Sequence, residues 1–326
     1  MERTKDKNYI LLLKKYSVLL LLVVFVIIAS LVSKNFFTVS NFFNLLQSYA
    51  APGVIAIGMT FTILSSGTDL SVGSVAALAG MVASMLLAQG VSPAVSVIAG
   101  VGVGALLGTI TGLIITFFNL APFIVSLATM VSARGLAMLT TDGKVISGLS
   151  KLAGGEAFCF LGGGYLELGD ARIPFAGITW IAITLVAAYI LRYTVFGRGL
   201  YAIGGNSEAA MLSGVRVKLY STLAWTISGM TSAYAGIMLT AWLTVGQPTL
   251  ANGFELDAIA AVVIGGTSMN GGKGGVFGTL AGVFILAIIT NLFNLMGLPS
   301  YYQQIFKGVI IVGALLLNLV VSRRDD

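Results

Sequence analysis

The chain alternates long apolar runs with short polar interruptions, at a spacing that suits helices crossing a bilayer. A hydrocarbon core calls for roughly 17 to 25 apolar residues per helix. Runs that meet this requirement cover about 16–33, 50–66, 72–88, 95–118, 123–140, 175–191, 219–245, 276–297 and 305–321. A tenth, 258–266, is too short to cross alone. The direction of its neighbours still requires a crossing there, so it is expected as a helix lengthened by Glu255, Leu256 and Asp257 at one end and by Thr267 and Ser268 at the other. Three interruptions look like soluble sequence: 66–71, 197–218 and 265–275. The middle one reads as a short capped helix offered to a partner in water, and the outer two as discontinuities inside a helical bundle.

Composition turns this pattern into a class. Of the 326 residues, 57% are hydrophobic and only 9% charged, with a mean hydropathy of +0.98. A water-soluble domain with that composition would precipitate. The sequence is that of an all-α polytopic membrane protein, a single transmembrane domain over 1–326. The first apolar run continues into Lys34, Asn35, Phe36 and Phe37 with no small-x-small exit, which marks a retained span and not a cleaved signal peptide. One cysteine, Cys159, leaves no intrachain disulfide, and the lack of histidine removes the commonest metal ligand and general base.

The net charge of +6 reads as topology and not as nucleic-acid affinity, because the cations sit at span ends. With the N-terminus inside and ten crossings, the cytoplasmic segments hold Arg3, Lys5, Lys7, Lys14, Lys15, Arg192, Arg198, Arg216, Lys218, Lys273, Arg323 and Arg324, twelve of the eighteen Lys and Arg. The outer side receives Lys34, Lys144, Lys151, Arg172 and Lys307, and Arg134 stays within a span. Both termini are then cytoplasmic. Trp180, Trp225 and Trp242 fall near span ends and are expected as interface anchors. Spans two to five run opposite in sense to spans seven to ten, the arrangement of an inverted repeat with halves at about 50–140 and 219–321. A weak echo accompanies it: Asp69 begins a small-residue helix expected to end at Gly80, and Glu255 one ending at Gly266.

Few residues offer chemistry. Gly100, Gly104, Gly108 and Gly112 line one face of the fourth span and suit close helix packing. A dinucleotide loop needs a preceding strand, and the Lys273 segment lacks the Ser or Thr and the glycine spacing of a phosphate loop. Asp69 lies between apolar runs, where a carboxylate needs partners. Thr68 or Asp69 can cap the third helix, and Asp69 with Ser71 can instead line a conduit or its inner gate; both roles are compatible. Glu255 and Asp257, near Gln247, can cap the eighth span, line an outer mouth or dock a cation, and spacing does not separate these options. In the middle interruption, Asn206 is a good N-cap, Ser207 and Glu208 fill the first turn, Ala209, Ala210, Met211 and Leu212 form helix, and Gly214 suits the left-handed end. So short a helix is marginal in water. Its apolar residues are therefore expected to pack in a partner groove, with the flanking glycines and Arg198 and Arg216 holding the segment away from the membrane.

At these residues the chain resembles the ribose-type branch of the bacterial ABC importer permeases. The resemblance rests on 67–74, the segment Ala121, Pro122, Phe123, Ile124, Val125, then 204–210, 253–268 and 300–304. It implies a ten-span fold like that of the cobalamin (vitamin B12) importer permease and a coupling helix at 206–213 within a cytoplasmic loop, 192–218. It also implies a second permease copy or paralogue, a cytoplasmic ATP-binding subunit, and a periplasmic or lipid-anchored sugar-binding protein on the outer side. The chain would lie in bacterial inner-membrane lipid, bind no cofactor itself, and leave ATP to its partner. Within the outer loop, 141–173, the stretch 143–173 shows least similarity to ribose permeases. The pathway or gate is expected at Thr68, Asp69, Ser71, Phe123, Gln247, Glu255 and Asp257, with import by alternating access. An ion-coupled secondary transporter is the alternative, since it also fits the inverted repeat and a broken helix, whereas a hydrolase lacks histidine, a nucleophile elbow and a metal cluster.

Overall fold

The computed structural model describes residues 18–169 and 171–322, the side chains at 310, 311 and 314–322 excepted. The charges at Arg3, Lys5, Lys7, Lys14, Lys15, Arg323 and Arg324, which carry much of the expected orientation, lie outside the described residues. Each apolar run forms a helix: α1 (Val18–Val32), α2 (Val39–Leu64), α3 (Val72–Ala88), α4 (Pro93–Phe118), α5 (Pro122–Leu139), α7 (Phe175–Tyr193), α10 (Val217–Leu243), α11 (Phe254–Ile264), α12 (Val276–Leu295) and α13 (Ser300–Ser322). Among the described residues, five of them (α2, α4, α5, α7 and α12) are long and apolar enough by length and composition to cross a membrane. Local chemistry sets several ends. Pro93 and Pro122 open α4 and α5 where a missing N–H is harmless, and Asn119 closes α4 in the left-handed conformation.

Several expectations are corrected. The α2 helix begins at Val39, well before residue 50, because the Thr38 side chain accepts from the Asn41 N–H and starts it there. The α3 helix fills the expected run 72–88 and so passes through Gly80, where the echo ends it; Gly80 packs against the Gly236 carbonyl and Thr240 of α10. At α11 the lengthening by Glu255, Leu256 and Asp257 is present, but the helix stops at Ile264. Gly266 turns left-handed (φ 81°) and the Thr267 N–H returns to the Val262 carbonyl. Trp180 and Trp225 are buried, not interfacial, because Gly53 leaves room for one indole and Gly67 for the other, with Gly112 against the Trp225 Cβ. Trp242 stays partly exposed.

The bundle is organised around α10. Gly104 and Gly108 of α4 lie against Gly229 and the Trp225 carbonyl, bringing the two backbones together, and Gly236 of α10 lies against Ala76 of α3. The packing has two matching sets: α3 contacts α4, α5 and α10, while α11 contacts α12, α13 and α2. Paired threonine hydroxyls stitch facing helices, Thr60 to Thr279 and Thr109 to Thr226, each at 2.8 Å.

The segment between α5 and α7 is a folded cap. It holds β1 (Ile146–Ser147), a 3-10 turn at Leu149–Lys151, α6 (Gly155–Gly163) and an antiparallel pair, β2 (Tyr165–Leu168) with β3 (Ala171–Pro174), in register Tyr165 to Pro174. β1 pairs antiparallel with β4 (Val245–Gly246). Phe158 is fully buried, and Gly162 lets α6 sit on α10 at Met238 and Trp242.

Candidate functional site

Polar chemistry gathers in two places, the first inside the bundle where the starts of α3 and α11 meet. After α2, Ser66 turns left-handed (φ 64°), the Gly67 N–H returns to the Thr62 carbonyl at 2.8 Å, and Gly67 lies against Trp225. The chain then re-enters the bundle. Asp69 is 2% exposed; its Oδ1 accepts from the Ser71 N–H (2.9 Å) and hydroxyl (2.6 Å), and its Oδ2 accepts from Ser228 (2.7 Å). Ser228 is the twelfth of the 27 residues of α10, so Asp69 stands near the middle of that helix's length. Capping by Thr68 or Asp69 is corrected: Ser71 precedes α3, and Asp69 holds the N–H of Ser71 itself and not those of the first turn. The Ser126 hydroxyl lies 3.1 Å from both the Thr68 and Phe123 carbonyl oxygens, which ties this break to the start of α5.

From the other direction, the segment between β4 and α11 reaches into the bundle. Arg134, thirteenth of the eighteen residues of α5, donates from Nη1 to the carbonyls of Pro248 (2.8 Å) and Leu250 (2.9 Å). A Cβ on Gly73 would strike the Ala251 carbonyl and the Glu255 carboxylate, so glycine is what lets the two helix starts approach. Glu255 and Asp69, both among the expected pathway or gate residues, therefore flank the opening of α3. A cleft of about 350 Å³ lies here, with Ser74, Arg134, Thr249, Asn252 and Glu255 on its polar wall. Of the remaining expected pathway residues, Gln247 is exposed and reaches the cleft's edge by donating to Thr249 at 2.8 Å, whereas Asp257 pairs with Lys307 of α13 at 2.8 Å and Phe123 is exposed on α5.

The second place is the middle interruption, which holds two helices, α8 (Val195–Gly205) and α9 (Ser207–Leu212). In α9 the Asn206 side chain accepts from the Ala209 N–H (2.9 Å), Glu208 sits in the first turn, and Gly214 takes φ 83°. Ala210 is buried, whereas Met211 and Leu212 are 59% and 81% exposed. The glycines of α8 pack closely: Gly199 on Tyr220, and Gly204 on the Leu64 carbonyl and the backbone at Gly271 and Gly272. The Gly272 N–H donates to the Leu64 carbonyl (3.0 Å), Ser66 to Asn270 (2.8 Å) and the Tyr201 hydroxyl to the Gly274 carbonyl (2.9 Å). All three soluble-looking interruptions thus meet at one junction.

Sequence reasoning missed Ser228, the carbonyl clamp of Arg134, and the junction residues Ser66, Tyr201, Gly204, Gly271 and Gly272. Only the glycine doublets at 204–205 and 271–272 signalled the last group. Among the described residues no three His, Cys, Asp or Glu side chains gather as metal ligands.

The comparisons with known proteins converge. A family model described as branched-chain amino acid transport system / permease component matches residues 41–315. The chain is 44% identical over 297 residues to the ribose import permease protein RbsC of Bacillus subtilis, covering 91% of this chain and 90% of that one. It is 34% identical over 323 residues to the D-allose transport system permease protein AlsC of Escherichia coli, covering 98% and 96%. It is 33% identical over 312 residues to the L-arabinose ABC transporter permease protein AraH of Azospirillum brasilense, covering 94% and 88%. No solved structure matches the chain. Matched nearly end to end, the chain belongs to the branched-chain amino acid transport system / permease component family, as a multi-pass membrane transport component and not an enzyme.

Proposed function

We propose that this chain is the permease subunit of an ATP-driven ABC importer for a monosaccharide such as ribose or a related pentose or hexose, working by alternating access. The observation that carries the reading is the end-to-end similarity to relatives named for ribose import and for allose and arabinose transport. The chain binds no cofactor; a cytoplasmic ATP-binding subunit uses ATP, and a periplasmic or lipid-anchored binding protein delivers the sugar. The termini are cytoplasmic in the bacterial inner membrane.

The architecture we propose has ten spans in two inverted halves, about 50–140 and 219–321, like the cobalamin importer permease. The matching neighbour sets of α3 and α11 support it. A second copy or paralogue completes the pathway, which is supported by the exposed Phe123, Leu127 and Val131 on the same helix as Arg134. A charge facing lipid at that level is expensive. Gating passes through Thr68, Asp69, Ser71, Phe123, Gln247, Glu255 and Asp257.

Coupling runs through Asn206, Ser207, Glu208, Ala209, Ala210, Met211, Leu212 and Gly214. Its support is physical: two large apolar side chains project from a two-turn helix that the chain itself covers only at Ala210. Behind that helix, the junction of α8 with Leu64 and Gly272 provides a stiff path to the end of α2 and to the 265–275 segment.

The test is proteoliposome uptake with the companion ATPase and binding protein. Wild type is expected to accumulate sugar only with ATP. Met211→Asp is expected to abolish uptake and ATPase stimulation while the purified subunit keeps its thermal unfolding profile. Unchanged transport and stimulation in Met211→Asp overturns the coupling assignment, and ATP-independent uphill uptake by the wild type overturns the importer reading.

A further inference from the structure

We infer that the cleft at the meeting of α3 and α11 is a transient station for the hydroxyl groups of a neutral sugar crossing the bundle. This rests on the permease reading and gives the permease a sugar contact of its own. The cleft, about 350 Å³, is at the lower end of the roughly 300 to 1,000 Å³ typical of small-molecule sites. That size suits one monosaccharide. Its polar wall mixes hydrogen-bonding types: Arg134 only donates, Glu255 only accepts, and Ser74, Thr249 and Asn252 do both. A sugar hydroxyl also donates and accepts, so it matches such a wall better than a group of one kind does. Met130, Val131 and Met138 of α5 form the apolar side, on which the C–H face of a ring can pack.

The charge balance favours a ligand without net charge. Arg134 and Glu255 line one cleft without forming a contact ion pair, unlike Lys307 and Asp257 at 2.8 Å. Arg134 is fixed by the Pro248 and Leu250 carbonyls through Nη1, and among the described residues its other N–H groups have no hydrogen-bond partner. The Glu255 carboxylate has none either. Two opposite charges held apart in a bundle need something polar between them. A phosphate or a cation would be repelled by one of the two, whereas a polyol bridges both.

The test uses the full chain, purified into lipid nanodiscs, with D-ribose, D-allose and L-arabinose as probes in saturation-transfer NMR. Wild type is expected to show transfer to the ring protons of at least one sugar. Glu255→Gln and Asn252→Ala are each expected to weaken apparent affinity about tenfold, the effect of losing one hydrogen bond to a charged or bidentate partner. Gln303→Ala, on α13, should leave binding unchanged. If Glu255→Gln does not fold, Thr249→Ala, at an exposed position, takes its place. Equal transfer in wild type and both cleft variants, or none from wild type with any probe, overturns the inference. Neither outcome bears on ATP-driven uptake, whose failure would sink the permease reading separately.

Discussion

The starts of α3 and α11 hold matching places in the packing, and an acid stands beside each, yet the two acids are treated in opposite ways. Asp69 is buried and accepts three hydrogen bonds, two from Ser71 and one from Ser228. Glu255 faces a cleft, near but not touching Arg134, with no hydrogen bond among the described residues. A buried carboxylate that spends three of its roughly four acceptor positions on its own chain is a pin, and its burial keeps the remainder from a passing molecule. A carboxylate held at the edge of a cavity with its lone pairs unused keeps that capacity. The first gating candidate therefore fixes the geometry of the break at 66–71, and the second is where solute chemistry can act.

The sharpest way to break this contrast is to remove the pin. Asp69→Ala leaves the Ser71 N–H and the Ser71 and Ser228 hydroxyls without their acceptor inside the bundle. It should cost on the order of 3 kcal/mol or more of stability, since each buried orphan costs roughly 1 to 3 kcal/mol. Thermal unfolding of the detergent-solubilised chain measures it, and an Asp69→Ala protein as stable as wild type removes the structural role. Ser228→Ala takes away one of the three donors and should cost about 1.5 kcal/mol by the same measurement. It also loosens the break from α10, so limited proteolysis at 66–71 should speed up.

How much of this was legible in the sequence depends on how local its cause is. The long helices were legible because apolar runs are a local property, and 72–88 coincides with α3. So was α9, since the cap at Asn206, the acid at Glu208 and the left-handed Gly214 act within one short segment. The α8 helix was not, because Gly197, Gly199, Gly204 and Gly205 lower helix propensity, and tertiary contacts with Tyr220, Leu64 and Gly272 override it. Nor was the meeting of Asp69 with Glu255. It depends on how deeply the segment after β4 enters the bundle, which Arg134 sets by gripping carbonyls more than a hundred residues away. No periodicity encodes such a contact. Trp180 and Trp225 misled for a related reason: aromatic rings near span ends look like anchors until the glycines facing them are known.

A milder test moves two residues along α11, to Asp257. Its partner Lys307 is partly buried, with side-chain exposures of 27% for the lysine and 19% for the acid. Lys307→Met keeps the aliphatic stem and removes the charge, leaving Asp257 without its cation. The expected loss is about 1 kcal/mol, above the typical value of an exposed pair and below that of a buried one. High salt should weaken wild type toward the variant, because partial exposure allows screening. No salt dependence of the difference would mean that the pair is sealed from solvent.

The smallest stability effect is expected at Glu255, and it decides the contrast most directly. If this carboxylate is unused by the fold, Glu255→Gln should change unfolding stability by no more than about 0.5 kcal/mol, the range of substitutions outside buried networks. The same change at the pin, Asp69→Asn, replaces an acceptor-only group by one with two N–H donors that no longer match three incoming donors. It should destabilise measurably, so the two acid-to-amide variants, unfolded side by side, are expected to differ by more than about 1 kcal/mol. Equal losses at both positions would mean that Glu255 is as much a part of the scaffold as Asp69. The beginning of α11 would then be a second pin, placed against Gly73 to hold the two helix starts together and not to meet a solute.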